Sequence, residues 1–249
     1  MDEKNVHYNK LGITERDRLK REEYRLTSQR TKEILEQGAL GPASRYDFER
    51  LKAVHHYLFQ DVYEWAGKVR TIGFSKRLDS RTVSVFANPA TFDEQWRALE
   101  QKTAAFVAAK NLTHGQKVDA LVEIFIEANH IHPFPEGNGR SLQVFMRQLA
   151  REQGVDLDYG KTNAQEWNRA SAISGKHGEP FEQEGRKFLA VRPPERGAIS
   201  GIFAEMASPT LNAYAKGKQA AAGGVSPGGQ NNPAPAAERS AGPPRGRAR

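Results

Sequence analysis

No cysteine occurs anywhere in the chain, and that absence removes disulfides, zinc–thiolate sites and thiol nucleophiles together. Its chemistry must rest on oxygen, nitrogen and a hard cation. No apolar run approaches the ~18 residues of a spanning helix, and Met1-Asp-Glu-Lys-Asn5 opens polar, unlike a signal peptide. The expected setting is the cytoplasm with no membrane partner, and a secreted effector is the weaker alternative. Aromatic residues are missing from the one strongly basic segment. Of the net charge of +7, residues 216–249 carry +5, from six basic residues against Glu238 alone. A basic stretch without stacking aromatics reads as a solvated segment, so no specific nucleic-acid partner is expected.

What the chain does have is helical periodicity, broken once. Segment 14–37 reads as a charged outer helix with Thr14 as N-cap and Gly38 as terminator. A second helix, capped by Ser44, carries the stripe Phe48, Leu51, Val54, His55 and Leu58. Between Val69 and Asn88, β-branched residues alternate with polar ones around Leu78-Asp-Ser-Arg81, which predicts a β-hairpin. Helix 90–109 follows. The strongest helix contains Val118, Leu121, Val122, Phe125 and Ile126 at i, i+3, i+4, i+7 and i+8, after a capping Thr113. Ser141 to Arg151 and Asn163 to Ser174 give two more, and Phe181 to Val191 is read as the last, before Pro193-Pro194. From about Ser208 the composition is Ala, Gly, Pro, Asn and Gln, too poor in apolar side chains to fold alone, so a disordered tail is expected.

The chemistry is concentrated in His132-Pro-Phe-Pro-Glu-Gly-Asn-Gly-Arg140. If the ligand is a nucleotide carrying magnesium, each residue type has a task. His132 takes a proton from an incoming hydroxyl, since imidazole titrates nearest neutral pH. Glu136 offers the hard oxygen that Mg²⁺ prefers. Gly137, Asn138 and Gly139 let the backbone turn with its N–H groups facing one anion, and Arg140 clamps the phosphates. Two apolar helices flank the segment, so this loop meets the N-terminus of the second, where free amides and the helix dipole favour phosphate. Phe134 is expected to anchor the loop in the core. Neighbouring His55 and His56 point apart on a helix, which suits no two-histidine metal site. The run that follows Glu136 calls for phosphate, against a zinc site on His130 and His132.

These residues resemble the signature of the Fic family, His-x-Phe-x-(Asp/Glu)-Gly-Asn-Gly-Arg-x-x-Arg, from His132 through Arg140. Asn9-Lys-Leu-Gly-Ile13 and the run from His55 to Gly67 are similar to Fic proteins too. The resemblance implies an all-α fold, a Fic-type helical bundle over residues 1–195 with a hairpin flap at about 69–88 and an active-site loop at 132–140. Residues 196–249 would be linker and disordered tail. It implies a protein adenylyltransferase that transfers AMP from ATP, with Mg²⁺ on Glu136, to a Ser, Thr or Tyr hydroxyl of a target protein. Ile72, Gly73 and Phe74 would hold that target beside His132 by strand pairing. Asn168 or Ser171 would border the nucleoside.

The match stops at position 143. There the family has a second arginine, which holds the terminal phosphate of ATP, and this chain has Gln143. Losing a hydrogen bond to a charged group costs about 1.5–3 kcal/mol, so triphosphate binding should be weakened or re-aimed around Gln143, with Arg147 one turn on as the nearest substitute. A transferase of another group (UMP or phosphate) and a non-catalytic interaction module are therefore the alternatives. The restraining run (Ser/Thr)-x-x-x-Glu-(Gly/Asn) of many Fic proteins does not occur in this sequence. By resemblance, the chain is expected to be the toxin of a toxin–antitoxin pair, restrained by a small separate antitoxin carrying that helix, with a DNA topoisomerase subunit as a possible target.

Overall fold

The computed structural model describes residues 7–210. Among them are seven α-helices: α1 (Arg16–Glu36), α2 (Phe48–Phe59), α3 (Phe92–Ala108), α4 (His114–Ile131), α5 (Asn138–Glu152), α6 (Ala164–Ser174) and α7 (Gly197–Met206). The strands are β1 (Ser75–Arg77), β2 (Val83–Val85), β3 (Val155–Leu157), β4 (His177–Gln183), β5 (Arg186–Arg192) and β6 (Ala207–Pro209). The helical bundle with a small β-hairpin is what the sequence predicts, and the structure extends that hairpin into a small antiparallel sheet. The disordered tail it also predicts lies, beyond residue 210, outside the described residues.

Helix α5 is the axis of the fold. One face, with Leu142, Phe145 and Leu149, joins the larger core built from α3, α4, α6 and α7 around Trp96, Leu121 and Phe125. Val144, on another face, packs with Leu58 and Phe59 of α2 and Leu19 of α1 in a second core. Burial on two sides fixes where α5 begins, and truncating one such buried phenylalanine costs about 3–5 kcal/mol. Helix α4 starts at a capping box: the Thr113 hydroxyl accepts from the Gln116 N–H, and the Gln116 side chain accepts from the Thr113 N–H. Thr14 and Ser44 are not the caps of α1 and α2. Glu15 accepts from the N–H groups of Asp17 and Arg18, and Asp47 from that of Arg50.

Two expectations for the C-terminal third are corrected. Residues 177–192, read as a final helix from 181, form the β4–β5 hairpin, with Phe181 opposite Phe188. Its two-residue turn places Glu184 at φ 52° and Gly185 at φ 73°, the left-handed pair that a tight hairpin of matching twist requires. Residues 196–209, assigned to a linker, are folded. Ile199, Phe203 and Met206 of α7 are fully buried in the larger core, and β6 pairs with β3, Val155 opposite Pro209.

The flap region is one edge of a four-stranded antiparallel sheet in the order β1-β2-β4-β5. Ser75 faces Val85, and Val83 faces Gly178 of β4. The hairpin at 69–88 is thus extended by strands that follow α6, and all three β1 residues are exposed along the outer edge.

Candidate active site

Helix α4 ends at His132, which adopts the left-handed conformation at φ 47°. A non-glycine residue holds such a backbone only when its surroundings over-determine it. Here the agent is Arg70, 4% exposed. Its guanidinium donates to the carbonyls of His132 (2.9 Å), Ile72 (2.7 Å), Ala87 (2.7 Å) and Ile131 (3.3 Å). Its own N–H donates to the Pro133 carbonyl at 2.8 Å. A buried cation answering the carbonyl end of a helix is electrostatically favourable, and this one also ties the flap to the end of α4. Nothing in the motif announces Arg70; a lone arginine just after Gly67 gave no periodic signal.

The His132 ring lies flat against Phe86, centroids 3.8 Å apart, with Phe74 edge-on at 5.8 Å. Its Nδ1 lies 3.2 Å from the Asn129 carbonyl. A carbonyl only accepts, so Nδ1 carries the proton and Nε2 keeps its lone pair. Burial lowers the ring's pKa to about 3, and the nearby cations of Lys76 and Arg70 work the same way against the hydrogen bond that Nδ1 donates to the Asn129 carbonyl. The imidazole is therefore neutral and able to accept a proton at pH 7.

From His132 the chain passes through Phe134, fully buried as expected, to Gly137 at φ 80°. A Cβ on Gly137 would stand 2.3 Å from Cζ of Phe59, so only glycine fits both the angle and the contact. Asn138 braces the turn: its Oδ1 accepts from the Phe134 N–H at 2.8 Å and its Nδ2 donates to the Phe134 carbonyl at 2.7 Å. That side chain, expected to touch phosphate, is committed to the loop, which leaves its main-chain N–H for a ligand. Gly139 has nothing within 4 Å of the position a Cβ would take. Helix α5 thus starts at Asn138, three residues earlier than its apolar pattern suggests, and puts Gly139 and Arg140 in its first turn.

His55 supports the loop from below. Its Nε2 donates to the Glu136 carbonyl at 3.0 Å, its Nδ1 accepts from the Gly67 N–H at 2.8 Å, and its ring stacks on Phe134 at 3.8 Å. Burial pushes it down to about 4, so it too is neutral and structural. Arg140 is held by Glu23 of α1, with Glu136 Oε1 3.6 Å away and its guanidinium over the rings of Tyr24 and Phe59. Tyr63 donates to the other Glu23 oxygen. The buried carboxylate on α1 is a second feature invisible in the sequence pattern, where Glu23 looks like one charge on a solvated face.

Two cavities, about 320 and 380 Å³, meet at this loop and share Lys76, Glu136, Gly137, Gly139, Trp167 and Asn168 in their walls. The first contains His132, Phe74 and Ser171; the second contains Arg140, Gln143 and Tyr159. His132, Glu136 and the 137–140 loop are therefore together, and Gln143 and Asn168 are with them. Ile72 (73% exposed) and Gly73 lie on the flap outside both cavities. Arg147 lines neither and does not take the place of Gln143. Among the described residues no cluster of three His, Asp or Glu forms a metal site. Glu136, with a half-exposed carboxylate, suits a cation that arrives with phosphate and water as its other ligands.

Comparison with known proteins agrees with this geometry. Residues 45–150 match the model of the Fic/DOC family. Over 172 residues the chain is 36% identical to the protein adenylyltransferase VbhT of Bartonella schoenbuchensis, covering 69% of this chain and only 34% of that protein. It is 31% identical over 175 residues to the probable protein adenylyltransferase Fic of Salmonella typhimurium, covering 70% of this chain and 82% of that one. The crystal structure of the BepC effector of Bartonella tribocorum with bound AMPPNP shares the fold, with a TM-score of 0.68 at 20% identity over 84% of this chain and 96% of that chain. With its loop, its bundle and these relatives in agreement, the chain belongs to the Fic/DOC family.

Proposed function

We propose that the chain is a protein adenylyltransferase that moves AMP from Mg-ATP to a Ser, Thr or Tyr hydroxyl of a protein. The observation that carries this reading is the neutral His132, with Nδ1–H fixed on Asn129 and Nε2 free, in the same cavity wall as the α5 N-terminus. The hydroxyl oxygen forms a bond to the α-phosphorus while the bond from that phosphorus to the bridging oxygen of pyrophosphate breaks. The hydroxyl proton goes to Nε2 of His132. The main-chain N–H groups at the start of α5 and Arg140 face the charge that builds on the phosphates. Glu136 is the residue that would hold Mg²⁺, which when bound neutralises phosphate charge. Gly139 leaves room for the phosphates against the helix end.

The flap serves the target. Among the described residues strand β1 has its outer edge unpaired, and an extended segment pairing there would run past Phe74 toward His132; Ile72 and Gly73 lead into that edge. Ser171, whose buried hydroxyl has no hydrogen-bond partner among the described residues, and Asn168 line the first cavity and are candidates to meet the nucleoside. A separate antitoxin and a topoisomerase subunit as target belong to the same reading. Co-purification and modification of a purified topoisomerase subunit test them.

A second reading, transfer of phosphate or UMP, is favoured by Gln143, which puts a neutral amide in the second cavity wall at the position where an arginine would fix a terminal phosphate. One experiment separates the two. The full chain is incubated with a cell lysate, Mg²⁺ and, in turn, ATP labelled at the α- or γ-phosphate and α-labelled UTP. AMP transfer puts only the α-label of ATP on protein, and His132→Ala abolishes it. Label from γ-ATP or from UTP supports the second reading.

A further inference from the structure

The charges around the two cavities are unevenly committed. In the wall of the second cavity only Lys76, Glu136 and Arg140 are charged. Arg140 is neutralised by Glu23, with Glu136 also within 4 Å. Lys76 has no carboxylate partner within salt-bridge distance among the described residues, and it stands in the walls of both cavities. It belongs to β1, and Phe74, just before that strand, stands edge-on to His132. Lys76 therefore stands across the groove from the free N–H groups of α5. An ammonium with no counter-ion beside a helix N-terminus is an arrangement that a polyanion would complete.

We infer that Lys76 is a nucleotide-binding residue: its ammonium contacts the non-transferred phosphates of the triphosphate, and so closes the flap over the groove once nucleotide is bound. This rests on the adenylyltransferase reading and adds to it the group that meets the phosphates opposite α5. Arg140, already paired with Glu23, then shares the phosphate charge with Lys76, and Gln143 needs no charge of its own. The same contact couples the two substrates. The strand that would receive the target's backbone is drawn toward the groove only when the triphosphate is present. Screening of Lys76 by phosphate also relieves part of the pressure that keeps His132 deprotonated, which makes the base stronger in the loaded enzyme.

The test is equilibrium binding, measured by calorimetry on the full chain with Mg-ATP and, separately, with AMP. Lys76→Ala is expected to weaken Mg-ATP binding by roughly ten- to a hundredfold, the scale of one lost charge-assisted hydrogen bond, and to leave AMP binding within about twofold. Lys76→Arg should keep most of the affinity, and Lys76→Ala combined with Gln143→Arg should recover part of it by placing a cation on the opposite wall. Equal Mg-ATP affinity in wild type and Lys76→Ala would overturn the inference while the adenylyltransferase reading stands. An equal loss for AMP and Mg-ATP would also overturn it, because that is the mark of a distorted flap. If the wild-type chain binds no nucleotide at all, the functional reading itself fails and takes this inference with it.

Discussion

The main-chain carbonyl of Asn129 lies 3.2 Å from Nδ1 of His132. One turn of helix thus decides which ring nitrogen faces the cavity. The acceptor is a carbonyl at the end of α4, left without an intrahelical partner as helix ends require. The same turn is anchored from the other side, since Nδ2 of Asn129 donates to the Ser171 carbonyl of α6 at 2.9 Å. The orientation of the base is therefore a property of two packed helices.

Both imidazoles should resist protonation. His132 is held down to about 3 and His55 to about 4, in each case first by burial. In the unfolded chain both regain a pKa near 6.5, so between about pH 4 and 6.5 the unfolded state binds more protons and stability rises with pH. That stability is complete above about 6.5 and is lost as pH falls toward 4. Ring signals of His132 and His55 in NMR titrations should stay in the neutral position down to pH 5. A midpoint near 6.5 for His132 would show that its ring is not enclosed as described.

Gly137 and Gly139 are expected to respond oppositely to alanine. Gly137→Ala forces a Cβ into Phe59 at a left-handed position and should cost about 2–4 kcal/mol, combining backbone strain with overpacking. Gly139→Ala meets open space, so the melting temperature should hardly change, but the methyl group occupies the phosphate cradle and nucleotide affinity should drop at least tenfold. Denaturation and calorimetry on the two variants separate these effects.

Arg70→Met should destabilise the fold by roughly 3–5 kcal/mol, because several carbonyls lose their only charged donor in a buried setting. Arg70→Lys should recover little, since one ammonium cannot span the fork that reaches both Ala87 and His132. Thermal unfolding of the two variants is the check. A Lys variant as stable as wild type would mean that charge alone, without the fork, holds the flap.

Much of this site is legible in the sequence, and what is not has a common cause. The loop from His132 to Arg140, the helices either side of it and the 69–88 hairpin follow from local pattern. Arg70, Glu23 and His55 do not, because each acts through partners 60 to 120 positions away, and a lone polar residue carries no periodicity. The β4–β5 hairpin was obscured by the apolar run Phe188 to Val191, although Glu184-Gly185 marks its turn. Helix α7 was obscured by its shortness, although Ile199, Ile202, Phe203 and Met206 fall at i, i+3, i+4 and i+7. The side chain of Asn138 shows the limit of motif reading: the residue is where the signature predicts, with its amide turned to the loop.

The central claim is that Nε2 of His132 accepts the proton of a protein hydroxyl as AMP is transferred. The most direct measurement is mass spectrometry of a target protein after reaction with Mg-ATP, for the wild-type chain and for His132→Ala. The account predicts a gain of one adenylate on a Ser, Thr or Tyr with wild type. His132→Ala should bind Mg-ATP normally but transfer it at least a hundredfold more slowly, the scale of a lost general base. Adenylylation at an undiminished rate by His132→Ala would contradict the account.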